Sequence, residues 1–379
     1  MIVFPTGVRR LVPTKRATGT RLSVLLALLS LVLSGCRYMR TGDPAVLRPT
    51  APGEVHLVDV CKRQCTDSAD VVAAGVDGFL IMPWADTTQL VMTAPSFTNP
   101  TIWWMTFGDW LLGTRPDTAR ITRRLNAMPA ANASRLARVG ALLVGHGHYD
   151  HLMDVPPLLP RMPDARVFGS STVINLLAPV AAAEPRRVSV DSIAARDARH
   201  GVTAYDVGPA LRVRAMAWEH APNIGGLTVA PGDQRTPRRT LPRTVFGWKK
   251  GAVYAYAVDI LQRDGTAGLR LFFHDAAAGP EVQRRAGEIV AGLPSARTTV
   301  VMATAANFDQ RPLYPDILLA HLAPDHVILG HWDDFFRSSE KPERVVRGID
   351  ARELVRRLAP YVGTHWNAPR AGAITRIRW

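Results

Sequence analysis

"LLVGHGHYDHLMDVP", Leu142 to Pro156, sets His146, His148 and His151 with Asp150 and Asp154 inside nine positions. The apolar run Val139–Gly145 leads into it and reads as a short buried strand; prolines follow. On extended backbone, side chains two apart point the same way, so the imidazoles of His146 and His148 can grip one cation. Asp150 and His151 come one turn later and can reach a second position beside it. Gly147 has no side chain to obstruct the approach. A strand that ends in a loop fixes the backbone while it exposes the groups. Imidazole nitrogen suits zinc, and carboxylates can bridge two ions. The competing reading is a surface loop with some histidines. Four ligand-type residues in six positions, right after a buried strand, favour a metal site.

Further out, strands and helices alternate. Val71–Trp84 and Gln89–Pro95 read as adjacent strands with a turn at Ala85-Asp86. "ITRRLNAM", "TVINLLAPVAAA", "YPDILLAHLAP" and "ARELVRRLAPYV" read as helices. "ARVFGS", "LRVRAMAWEHAP", "AVYAYAVDIL", "LRLFFHDAAAG", "TTVVMATAA" and "HVILGHW" read as strands, and "AITRIRW" closes the chain. Two halves of this kind fit two sheets sandwiched between helices. Gly232–Gly251 has too much Pro, Gly and Arg for a regular element and reads as a long inserted loop, of the kind that is often functional. The aromatic stretch Asn99–Gly113 reads as a buried helix, a lip over the active site, or a patch that leans on lipid. Aromatic stripes are usually core, which favours the buried reading.

"HGHYDH" resembles the H-x-H-x-D-H signature of the metallo-β-lactamase fold superfamily. That resemblance implies an αββα sandwich, two mixed β-sheets flanked by helices, with a dinuclear metal site at one edge of the sheets. The further ligands of that family come in a fixed order, which His220 in "WEHAPN", Asp275 in "LFFHDAAAG" and His331 in "VILGHWDDFF" match. By this pattern His146, His148 and His220 hold one divalent ion, zinc in the first instance. Asp150, His151 and His331 hold the other, and Asp275 bridges the two. His274 stands where many relatives have glycine, so it either supports a ligand from behind or competes as one. Asp333 and Asp334 either orient ligands or are ordinary loop carboxylates. His56, His200, His321, His326 and His365 fall outside the pattern and read as structural or exposed.

Two such ions roughly 3.5–4 Å apart can hold a shared water and release hydroxide at neutral pH. That hydroxide attacks an ester, lactone, amide or phosphodiester, with Asp150 orienting it as catalytic residue. No G-x-S-x-G elbow offers a serine route. The "GHW" and the long spacing from His220 to Asp275 look like the branch of lactonase-like proteins and the N-acyl-phosphatidylethanolamine phospholipase D type. The alternative class is a catalytically inactive binding protein of the cell envelope on the same fold. Retention of all seven ligands speaks against it.

The N-terminus points to a compartment. Arg9, Arg10, Lys15, Arg16 and Arg21 lead into the apolar run Leu22–Leu33, too short to span a bilayer, followed by Ser34-Gly35-Cys36. "LSGC" resembles the bacterial lipobox, which makes 1–35 a signal peptide, Cys36 the acylated anchor and 36–53 a linker. The hydrolase domain then spans 54–379. Partners follow: membrane lipid through the acylated N-terminus, and a small-molecule or lipid-like substrate. Arg37, rather than an aspartate, slightly favours the outer membrane if the host is Gram-negative. The formal charge of +14 falls by the five signal residues to +9, which suits anionic lipid or an anionic substrate, or is dispersed surface arginine. No basic stripe with interleaved aromatics is present, so nucleic acid is not favoured. Cys61 and Cys65 form an even pair in an oxidising compartment, which favours a disulfide over a metal pair. The chain has 379 residues, 47% hydrophobic and 21% charged, enough to bury a sizeable core.

Overall fold

Val139–Leu143 is a strand buried at every position because both its faces are covered. Ala141 and Leu143 point between two sheets, while Leu142 points to an outer helical layer. Strands buried on both sides carry continuous apolar runs rather than alternation, and Ala296–Thr304 follows the same rule: Val300 and Met302 face inward, Val301 and Ala303 outward. Truncating such a side chain, as in Leu143→Ala, costs roughly 2–5 kcal/mol. The computed structural model describes residues 40–379 apart from 62–64, 66, 192–202 and 224–225. Cys36 and His200 lie outside these residues.

Among the described residues the first sheet has eight strands. From one edge they run Val55–Asp59, Ile374–Arg378, Ser68–Ala73, Phe79–Pro83, Leu90–Thr93, Val139–Leu143, Arg166–Gly169 and Arg187–Ser189. The second has seven: Trp366–Asn367, His326–Gly330, Ala296–Thr304, Ala267–Phe273, Val253–Leu261, Leu211–Trp218 and Ala204–Asp206. Both mix parallel and antiparallel pairs. One core lies between the sheets and one beneath each helical layer, so the layers are αββα. The closing strand Ile374–Arg378 does not join its own half. It returns to the first sheet, between Val55–Asp59 and Ser68–Ala73.

Three helices show the local rules. Thr118–Asn126 is capped by Asp117, whose carboxylate accepts the Arg120 N–H, and it buries Ile121 and Leu125. Ala351–Val362 is capped by Asp350 and buries Leu354 and Leu358. Pro280–Ala291, not anticipated from the sequence, starts with proline at its first turn and packs on Asp316–Leu322.

Two expectations need correction. Val71–Trp84 is not one strand but parts of two, Ser68–Ala73 and Phe79–Pro83, folded back on each other around Gly75–Gly78. Gly75 (φ +80°) and Asp77 (φ +39°) take left-handed conformations that a strand cannot hold. The segment 102–112 is helical, but the buried reading of its aromatics fails: Trp103, Phe107 and Trp110 are exposed. Cys61 and Cys65 are bonded to each other, with Cα atoms 5.5 Å apart.

Candidate metal centre

All seven residues singled out by pattern meet at one end of the two sheets. Val139–Leu143 delivers His146 and His148, and the short helix Tyr149–Leu152 turns Asp150 and His151 back toward them. His220 follows Leu211–Trp218, Asp275 follows Ala267–Phe273, and His331 follows His326–Gly330. One ligand atom each from His146, His148 and His220 lies within 4.8 Å of the others, and the same holds for Asp150, His151 and His331. His146, His151 and Asp275 form a third such group linking the two. The Asp275 carboxylate reaches His146 Nδ1 at 2.9 Å and His151 Nδ1 at 3.6 Å. Asp150 lies 3.5 Å from His151 Nε2 and 3.4 Å from His331 Nε2.

Two glycines make this packing possible. A Cβ on Gly145 would lie 2.2 Å from both carboxylate oxygens of Asp275. A Cβ on Gly147 would lie 2.3 Å from the Lys249 carbonyl oxygen, and the Gly147 N–H donates to Lys250 at 2.8 Å. Gly147 therefore makes room for the backbone of the inserted loop rather than for an ion, and it ties that loop to the site.

The hydrogen bonds test whether these groups fit a cation. His148 Nε2 lies 2.8 Å from the Val229 carbonyl, which can accept its N–H and leave Nδ1 bare. That bare nitrogen faces His146 Nε2 at 2.9 Å, while His146 Nδ1 faces Asp275. Burial, then the charge of His220, holds the His146 imidazole well below its ordinary pKa. A neutral ring has one N–H and cannot serve both contacts. A cation among the three imidazoles removes the conflict. Burial, then the neighbouring imidazoles, also pushes His148 well down, burial with the charge of Lys250 pushes His220 down, and burial brings His151 to about 3. His331 differs: burial pushes it down, but its contact with Asp150 and the charges of Asp77 and Asp150 leave it raised. Its Nδ1 is buried with no hydrogen-bond partner. Burial alone would raise Asp150, yet His151 and His331 hold it well below the usual carboxylate range; Asp275 stays raised because burial prevails. A nitrogen and carboxylate set without thiolate suits zinc or a similar divalent ion.

The neighbours sort themselves. His274 does not enter the site. Side chains alternate along the strand, so it lies on the opposite side from Asp275, stacked on Trp218 at 4.9 Å with Nδ1 3.1 Å from the Ala276 carbonyl. Asp334 is ion-paired to Arg347 at 3.1 Å and shapes its loop, while Asp333 forms a backbone bridge with Val345. His56 and His326 pack on each other at 5.4 Å, and His321 bonds the Ile317 carbonyl. Asp154 accepts the N–H groups of Phe97 and Thr98, fixing the loop beneath the cluster.

Asp77 is the residue the sequence reading passed over. It is buried at the turn of the first hairpin, accepts the Thr304 hydroxyl at 2.8 Å, and acts electrostatically on His331 and Asp275. Burial pushes its carboxyl up to about 7. The signal was the glycine pair flanking it in "GVDG", a turn signature inside an apolar run.

Beside the cluster lies a mostly apolar cavity of about 300 Å³, lined by His148, Tyr149, Asp150, Ile102, Met105 and Phe335 among others. Asn223, Asn307 and Arg347 supply its polar points.

No curated protein matches the chain in sequence. Among solved structures it resembles Igni18, a metallo hydrolase from the archaeon Ignicoccus hospitalis, at 14% identity and TM-score 0.46, covering 82% of this chain and 99% of that one. It also resembles a HARLDQ-motif mutant of a metallo-β-lactamase from Cronobacter sakazakii, at 13% identity and TM-score 0.31, covering 69% and 74%. Neither likeness lends the chain a substrate. Residues 111–277, which carry every candidate ligand except His331, match the β-lactamase superfamily domain, and the two mixed sheets flanked by helices are the arrangement that this likeness implies.

Proposed function

We propose that this protein is a metal-dependent hydrolase of the cell envelope, anchored through acylated Cys36, that cleaves an ester, lactone or phosphodiester bond of a lipid-like substrate. The observation that carries the reading is the meeting of two three-residue ligand groups with the Asp275 carboxylate between them. His146, His148 and His220 would hold one divalent ion, and Asp150, His151 and His331 the other. Bound there, the ions would supply a nucleophilic water at neutral pH and polarise the bond under attack. Asp150 lines both the cluster and the cavity, so its carboxylate can orient that water. The apolar walls of the cavity would bind an acyl or other hydrocarbon portion of the substrate and exclude bulk water. Asn223 and Asn307 can donate to the polar group next to the scissile bond.

The test is metal analysis of the purified chain together with hydrolysis of bis(p-nitrophenyl) phosphate and a panel of esters and lactones. Two equivalents of metal and a chelator-sensitive activity are expected. A chain that binds no metal would sink the reading. Metal without any hydrolysis would turn it to the inactive binding protein. For the anchor, Cys36→Ala should leave uncleaved, unacylated precursor; mass spectrometry finding an unmodified Cys36 within the mature wild-type chain would contradict it.

A further inference from the structure

The helical segment 102–112 has two faces. Ile102 and Met105 line the cavity beside His148 and Asp150. Trp103, Phe107, Trp110, Leu111 and Leu112 stand 65%, 65%, 84%, 73% and 69% exposed. Soluble surfaces rarely leave so many large apolar side chains together in water.

This face is held in place. Trp103 and Phe107 stack at 5.8 Å, and the Trp104 indole N–H donates to the Thr114 hydroxyl at 3.0 Å. Thr114 donates in turn to buried Asp109, whose two carboxylate oxygens accept the Val245 N–H at 3.1 Å each. These ties clamp the aromatic segment to the inserted loop 232–251.

That loop is a second, independent observation. It carries Arg235, Arg238, Arg239, Arg243, Lys249 and Lys250 against the single acid Asp233. Arg235, Arg239 and Arg243 are exposed, as is Arg115 beside the aromatic segment. Among the described residues none of these four makes an ion pair. The Thr114 N–H donates to the Arg243 carbonyl at 2.7 Å, which fixes the basic loop against the aromatic face. Phe246, half exposed on the same loop, reaches the cavity.

We propose that this combined face docks on the anionic surface of a phospholipid bilayer. Tryptophan and phenylalanine rings sit well at head-group level, apolar body inward, while guanidinium groups meet lipid phosphates. A second copy of the chain is a poorer occupant, because a two-fold contact would set the same unpaired arginines near one another. Docked this way, the cavity opens at the depth where acyl chains lie. The consequence for substrate entry rests on the hydrolase reading; the docking does not.

The experiment uses the full chain reconstituted on phosphatidylcholine vesicles, with and without phosphatidylglycerol, doped with lipid brominated on the acyl chains. Tryptophan quenching by bromine reports depth whether or not an anchor already holds the chain at the surface. The expected result is quenching that is stronger on anionic vesicles and largely lost in Trp103→Phe/Trp110→Phe. Arg235→Gln/Arg239→Gln/Arg243→Gln should lower it to the level on neutral vesicles. These side chains are exposed, so circular dichroism and metal content should match wild type and certify the fold. Equal quenching in wild type and the Trp103→Phe/Trp110→Phe variant would overturn the proposal. So would a dimer, seen by sedimentation, that Trp110→Ser dissolves while vesicles give no quenching. Quenching needs no turnover, so its failure leaves hydrolysis of a soluble phosphodiester standing, and the reverse also holds.

Discussion

Two groups of buried carboxylates in this molecule are neutralised in opposite ways. Asp259, in the middle of the second sheet, is clamped by Arg214 at 2.5 Å and by Arg270 at 2.6 and 3.0 Å, from the strands on either side. It brings its own permanent cations. Asp150 and Asp275 are buried too, but imidazoles surround them, and burial holds four of those imidazoles down. No guanidinium lies within ion-pair distance of either among the described residues; the fixed cation acting on His146 and His220 is Lys250. The first arrangement is complete when the chain folds. If the second is completed by a cation from solution, as proposed, its stability should depend on metal and that of the first should not.

The largest effect should come from Asp275→Ala. It removes the carboxylate shared by both ligand groups, so metal content should fall at both positions and phosphodiester hydrolysis should drop to background. Metal analysis beside a rate measurement checks this. Two retained metals with near-normal turnover would break the contrast at its centre.

His331→Ala should do less. His331 belongs to only one ligand group, so the chain should keep nearer one metal per molecule while losing most activity. Titration of the apoprotein with zinc should then show one tight site instead of two. Loss of both metals would mean that the groups do not fill separately.

Asp259→Ala should leave the metals alone and damage the fold. It strands two buried guanidinium groups, a change that costs about 3–5 kcal/mol when one partner of a buried ion pair is lost. Thermal unfolding should show the loss, and metal per folded molecule should stay at two. Replacing all three with apolar residues of similar volume should recover most of it. If Asp259→Ala emptied the metal site, the two regions would not be independent.

One side of this contrast, the candidate metal centre, is legible in the sequence for a local reason; the clamp on Asp259, whose arginines come from two neighbouring strands, is not. Each candidate ligand follows an apolar strand, whereas the side taken by His274 stays open in the sequence and is fixed by its stacking on Trp218. Asp77 was hidden because its turn sits between two apolar runs that read as one strand. The exposure of Trp103, Phe107 and Trp110 was hidden because composition does not say which face of a helix another element covers. The return of Ile374–Arg378 to the first sheet is long-range pairing, which no local pattern encodes. The role of Gly147 depends on a loop about a hundred residues away.

The smallest effect is expected at His274, and it tests the alternation itself. His274 stacks on Trp218 in the outer core, with Phe272 at 6.0 Å and Tyr314 at 5.6 Å. Its ring is surrounded by aromatics rather than by ligands, and burial pushes it down to about 3, so it sits there neutral. Phenylalanine keeps an aromatic ring in the stack but is larger than imidazole and loses the contact with the Ala276 carbonyl. Adding volume to a packed core costs roughly 1–3 kcal/mol. His274→Phe should therefore lower the unfolding midpoint modestly and keep both metals and most activity. Suppose instead it emptied the site while Asp275→Ala left it full. The ligand would then be His274, the strand would be out of register by one residue, and every side chain along Ala267–Phe273 would face the other way.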